Sequence, residues 1–121
     1  MRLPNAENAV IPEEKIREYC LNFEHGHGQH KAFLFSKLLG ISESNAGELT
    51  AILESALRTD EVVRVKPTEH GVIYYLDSVI IRGERTFTLR SLWIILSDEI
   101  IPRFVSCYLR RKGSKINENG N

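Results

Sequence analysis

The hydrophobic period of this chain changes once. Up to Thr59, apolar residues recur at three- and four-residue spacing; from Glu61 onward they alternate or run in short blocks. The first period places apolar side chains on one helix face, the second on one strand face. A chain carrying both in separate halves satisfies them by laying helices against a sheet.

The helical half divides into three segments. In "IPEEKIREYCLNF", Pro12 suits a first helical position, and Glu13 and Glu14 suit the positive helix end. Ile16, Tyr19, Cys20 and Phe23 form an i, i+3, i+4, i+7 stripe. A second helix is expected over 30–39, stopped by Gly40, with Ile41 folding back on its end. In "SNAGELTAILESAL", Asn45 and Glu48 have capping-box spacing ahead of a stripe of Leu49, Ile52, Leu53, Ala56 and Leu57.

Four strands follow: "EVVRVK", "GVIYYLDSV", "RTFTLRSLWIIL" and "IPRFVSCYLR". Their turns fall at 67–71, at 82–85 around Gly83, and around Asp98. Connections this short favour an antiparallel meander. The expected fold is α+β, about three N-terminal helices followed by a four-stranded antiparallel sheet. Residues 1–110 form one domain, and 111–121 form a polar, basic tail expected to be disordered.

Composition narrows the class. With 42% apolar and 26% charged residues the 121-residue chain reads as one globular domain able to bury its own core. No apolar run is long enough for a membrane span, and the first residues lack the apolar core of a secretory signal. Cys20 and Cys107 read as buried reduced thiols rather than a disulfide, which points to a cytoplasmic protein with no membrane partner. Formal net charge is zero, from 16 basic and 16 acidic residues. Neutrality argues against a general nucleic-acid binder. The distribution is uneven, however. Glu7, Glu13, Glu14 and Glu18 crowd the start, and Arg103, Arg110, Arg111, Lys112 and Lys115 crowd the end. That basic end is either a solubilising tail or a surface for nucleic acid.

Three of the four histidines lie in "FEHGHGQHKAFLF", at 25, 27 and 30. On a helical wheel Lys31 falls within the apolar arc of Ala32, Leu34, Phe35, Leu38 and Leu39. A cation in a first helical turn opposes the macrodipole. A bound phosphate would explain it, held by Lys31 and by backbone N–H groups near Gly28. The alternative is a lysine that snorkels past Phe35 to solvent. The histidines admit three roles: a metal site with Cys20 or Glu24, neutral loop residues, or an acid or base beside phosphate. The spacing is unlike that of common zinc modules, so neither metal nor cofactor is expected.

The sheet offers a second cluster. Phe87, Leu89, Ser91, Trp93 and Ile95 share one strand face, and Thr86, Thr88 and Arg90 the other. In the last strand Phe104, Ser106, Tyr108 and Arg110 are expected to share a face. With the two strands adjacent, Arg90 comes near Ser106 and Tyr108. An arginine, a hydroxyl and a phenol suit a phosphodiester, and an ordinary solvated face is the bland alternative.

In order and spacing, "LPNAENAVIPEEKIREYCL", G-x-x-K-A-x-x-F in "GQHKAFLF", "LRSLWII" and "PRFVSCY" form a distinctive set. From Leu3 to Leu109 the chain resembles a family of small bacterial domains that occur alone or fused to phage head proteins and polymorphic toxins. That family is in turn similar to the barnase–EndoU–colicin–RelE-like ribonuclease toxins. The resemblance places Lys31, Arg90, Ser106 and Tyr108 at motif positions. His30 stands where other members carry a small polar residue, Ser106 replaces a threonine, and Leu109 replaces a proline. It implies a metal-independent toxin-type endoribonuclease that leaves 2′,3′-cyclic phosphate ends. Lys31 and Arg90 would stabilise charge, His27 or His30 would move protons, Tyr108 would donate a proton or bind phosphate, and Ser106 would orient it. Gly28, Arg103, Arg110 and Arg111 would contact phosphate or RNA. The implied partners are RNA, with transfer RNA one candidate, and a small acidic antitoxin or immunity protein; oligomeric state is left open. The rival reading is a non-enzymatic module that binds nucleic acid or protein.

Overall fold

A computed structural model describes residues 1–21 and 29–110, apart from the side chains of Tyr19, Gln29 and His30. Helices precede a four-stranded antiparallel sheet of order β1-β2-β3-β4, as the change of period requires. The strands are β1 (Val62–Pro67), β2 (Gly71–Arg82), β3 (Arg85–Leu96) and β4 (Arg103–Arg110).

Helix α1 is one α-turn, Glu13–Lys15, widening into a π-helical segment, Ile16–Cys20. Pro12 is its N-cap rather than its first helical residue. Helix α2 has the same build, Gln29–Leu34 followed by a π-helical Phe35–Leu39. Gly40 ends it at φ 71°, a left-handed conformation that costs glycine little. The Ile41 N–H then donates to the Phe35 carbonyl, and Ile41 is fully buried as it folds back. Helix α3 spans Gly47–Thr59. The capping box sits one turn earlier than the sequence suggests. It joins Ser42 and Asn45 across a 3-10 turn, Glu43–Asn45, and Asn45 Nδ2 also donates to Glu48 at 3.0 Å.

The helices cover one sheet face. Ile16, Cys20, Phe35, Leu39, Leu49, Leu53 and Ala56 meet Leu76, Ile80, Leu89, Trp93, Phe104 and Cys107 in one buried cluster. Trp93 packs edge-on against Phe104 at 5.3 Å between centroids, and its indole N–H donates to the buried Ser91 hydroxyl at 3.0 Å. An indole in a dry core needs such a partner. The N-terminal segment links both sheet edges: the Val62 N–H donates to the Met1 carbonyl, and the Phe104 N–H to the Val10 carbonyl. Among the described residues no helix is long and apolar enough to cross a membrane.

Two registers set the geometry of the other face. The β2–β3 turn holds two residues, with Arg82 opposite Arg85. Gly83 has φ 62° while Glu84 does not share a positive φ, the signature of a II′ turn whose twist matches its strands. In β4 the pairing shifts, so that Leu92 faces Ser106 but Trp93 faces Phe104, and Val105 is the extra residue of a bulge. The shift corrects the sequence reading of β4. Phe104 turns into the core, whereas Ser106, Tyr108 and Arg110 lie on the face of Arg90.

The buried Ser91–Trp93 bond yields a stability prediction. Ser91→Ala strands the indole N–H and should cost about 1–3 kcal/mol in urea unfolding. Thr86→Ala, at an exposed position of the same strand, should stay within about 0.5 kcal/mol.

Candidate functional site

Asp77, Arg90 and Tyr108 form one row across β2, β3 and β4, because Arg90 pairs with Asp77 on one side and Tyr108 on the other. Asp77 accepts a bidentate bond from Arg90, at 2.8 Å from Nε and 3.0 Å from Nη2. It also accepts from Arg110 Nη1 at 3.0 Å. The Asp77 and Arg90 side chains are only 18% and 16% exposed, so their pairing is well shielded. The Asp77 carboxylate, and secondarily the Tyr108 phenol, hold the Arg90 guanidinium above its ordinary pKa. Asp77 thus fixes two arginines that would otherwise repel.

A third arginine joins from β1. Arg64 and Arg90 both lie over the Tyr75 ring, at 5.1 and 5.4 Å from its centroid. Cation–π stacking from both explains why Tyr75 is 8% exposed although it points away from the helices.

The half-buried Lys31 reaches this region from the first turn of α2. Its Nζ donates to Ser106 Oγ at 2.7 Å, next to the β4 bulge. The sequence reading that Lys31 points towards the sheet is thereby met, with the ammonium directed at a named hydroxyl rather than at open solvent. Ser106 lies diagonal to Arg90, about 7–8 Å away by strand geometry. Behind Lys31, Cys20 and Cys107 are buried free thiols with sulfurs 3.8 Å apart. Cys107 is pushed well above the usual thiol range by its bond to Cys20 and by complete burial. Cys20 is drawn down by that bond and, against its own burial, by the Lys31 charge.

Of the residues singled out from sequence, Lys31, Ser106, Arg90, Tyr108 and Arg110 come together. Arg103 does not. It pairs with Ile94 near the opposite end of β3 and is held by Glu99 at 2.9 and 3.2 Å. His27, Gly28 and Arg111 lie outside the described residues, as does the His30 side chain. Among the described residues no group of three or more His, Cys, Asp or Glu side chains could hold a metal. Asp77, Tyr75 and Arg64 escaped the sequence reading. The signal for Asp77 was present: it lies five residues before Arg82, and Arg90 lies five after Arg85, so the turn sets them opposite.

The assembled patch offers four cations, Lys31, Arg64, Arg90 and Arg110, against one carboxylate, with a hydroxyl and a phenol beside them. It can hold an anion with several oxygens and can donate protons to it. A family model described as "Domain of unknown function (DUF6883)" matches residues 2–111, and the chain belongs to that family. The comparisons with curated proteins and with solved structures return no match.

The Asp77–Arg90 pair can be weighed by a double-mutant cycle. Asp77→Ala and Arg90→Ala should couple by about 0.5–3 kcal/mol in unfolding free energy. A coupling near zero would show that the bidentate contact does not hold the row together.

Proposed function

We propose that this DUF6883 domain acts on RNA as a toxin-type, metal-independent endoribonuclease. The observation that carries the reading is the Lys31–Ser106 contact, which sets an ammonium beside the arginine–phenol row of β3 and β4. A phosphodiester between Ser106 and Arg90 would be met by fixed positive charge on its non-bridging oxygens. Ser106 orients the phosphate by its hydroxyl, and Tyr108, 37% exposed and opposite Arg90, faces the leaving group.

In this reaction a base takes the ribose 2′-OH proton and the 2′-oxygen attacks phosphorus. The bond from phosphorus to the 5′-oxygen breaks, that oxygen takes a proton, and the products are a 2′,3′-cyclic phosphate and a free 5′-OH. Tyr108 is assigned the proton donor. The base is assigned to His27, ahead of α2 in sequence, or to His30, in the first turn of α2. On the same reading Arg110 and Arg111 track the RNA backbone, and a small acidic antitoxin or immunity protein covers the basic patch. The order of the motifs supports the likeness to the small bacterial domains found with polymorphic toxins, and the likeness of those domains to barnase–EndoU–colicin–RelE-like toxins belongs to this proposal.

One observation favours a second reading. Arg90 is committed to Asp77 by two hydrogen bonds. A guanidinium held so firmly suits a rigid platform that binds a phosphate backbone or an acidic protein without cutting.

The two separate in one assay. The protein is incubated with total RNA or transfer RNA in EDTA beside Lys31→Ala, Arg90→Ala and Ser106→Ala. The nuclease reading expects fragments with cyclic phosphate ends, and losses of about 10²–10³-fold for the Lys31 and Arg90 variants. Salt-dependent binding without product, with divalent metal restored as a control, would establish the binding module instead.

A further inference from the structure

Strand β1 covers only part of β2. Its pairing ends where Val62 meets Leu76, so β2 from Ser78 to Arg82 pairs with β3 alone. The two-residue turn makes Arg82–Arg85 a hydrogen-bonded pair, and such pairs alternate along an antiparallel ladder. The backbone groups of Ser78, Ile80 and Arg82 therefore turn to β3, and those of Val79 and Ile81 face the free edge. Among the described residues only the Ile81 carbonyl has a partner there, Arg82 Nη1 at 3.2 Å.

The two edges are treated differently. The edge formed by β1 carries Arg64, Lys66, Pro67 and a bulge, all of which oppose pairing with a further strand. The uncovered backbone of β2 reads Ser-Val-Ile-Ile between Asp77 and Arg82, with no charge among those four residues and no proline. Val79 is 69% exposed and Ile81 66%. Beside them lies a groove of about 530 Å³ between β2 and α3, floored by the small side chains of Ala51, Ser55 and Ala56.

We propose that this edge pairs with the same edge of a second copy of the chain, antiparallel and centred on Ile80, making one continuous eight-stranded sheet. The charges are self-complementary about that centre. Asp60, which accepts from Ser78 Oγ at 2.7 Å, marks one end of the groove, and Arg82, beside Glu48 at 3.9 Å, marks the other. With Ser78 opposite Arg82 of the second copy, each arginine meets an Asp60. Val79 lies opposite Ile81 of the second copy, so both exposed aliphatic side chains are covered in pairs. The small residues of α3 leave room for the second copy beneath the joined edge. The two-fold arrangement gives an isologous contact, which closes and does not propagate into fibres.

Sedimentation of the full chain over a wide concentration range tests this, read with amide hydrogen exchange. The proposal expects a concentration-dependent dimer in which the Val79 and Ile81 amides exchange slowly only when dimeric. Val79→Lys and Ile81→Lys change exposed positions, so circular dichroism should show an unchanged fold while the dimer dissociation constant rises about tenfold or more. A chain that stays monomeric throughout would overturn the proposal. So would a dimer indifferent to both lysines, or one that leaves the two amides unprotected.

Discussion

Strands β2 and β3 meet through a turn of two residues, and twelve residue pairs inherit their register from it. A slip of one position would send either Leu76 and Ile80 or Leu89 and Trp93 outward, and draw Asp77 or Arg90 into the helix layer. That apolar pair would lose its burial and that charged residue its solvent contact, so the register is held from both faces. Gly83 makes the turn possible, because few other residues accept φ 62° without strain. The core and the charged row are two outcomes of this one constraint.

The bulge at Val105 is the second device. Strict alternation through β4 would place Phe104 beside Ser106 and Tyr108 and leave Trp93 without its aromatic neighbour. One extra residue returns Phe104 to the core and keeps the hydroxyl and phenol with Arg90. It also sits next to the point where Lys31 meets the edge strand. Bulges recur beside functional sites because they re-aim a single side chain without disturbing the rest of a strand. Here the cost is one unpaired residue on an edge.

Much of this was legible from residue order. The change of period after Thr59 and the three short turns suffice for the meander, and Gly40 and Gly83 mark their chain reversals. Lys31 could be read because a lysine within an apolar arc has few places to go. The bulge could not, since alternation in "RFVSCYLR" gives no sign of where it breaks; packing of Phe104 on Trp93 decides it. The capping box falls a turn before the spacing of Asn45 and Glu48 suggests, because Asn45 bonds both backwards to Ser42 and forwards to Glu48. Asp77 is hidden for a different reason: its importance lies in a partner thirteen residues away, visible only once the turn is used to count across the hairpin.

Trp93 is the single tryptophan of the chain and lies where helices, β3 and β4 converge, with no solvent contact. Its indole is hydrogen-bonded to Ser91 and lies edge-on to Phe104. An indole in so apolar a setting emits at shorter wavelength than one in water, and any loosening of the helix layer from the sheet admits water to it. The fold therefore contains its own optical probe, buried on the sheet face opposite the charged row. Surface substitutions can be sorted by colour: an unchanged emission reports intact packing, and a red shift reports a core that has opened.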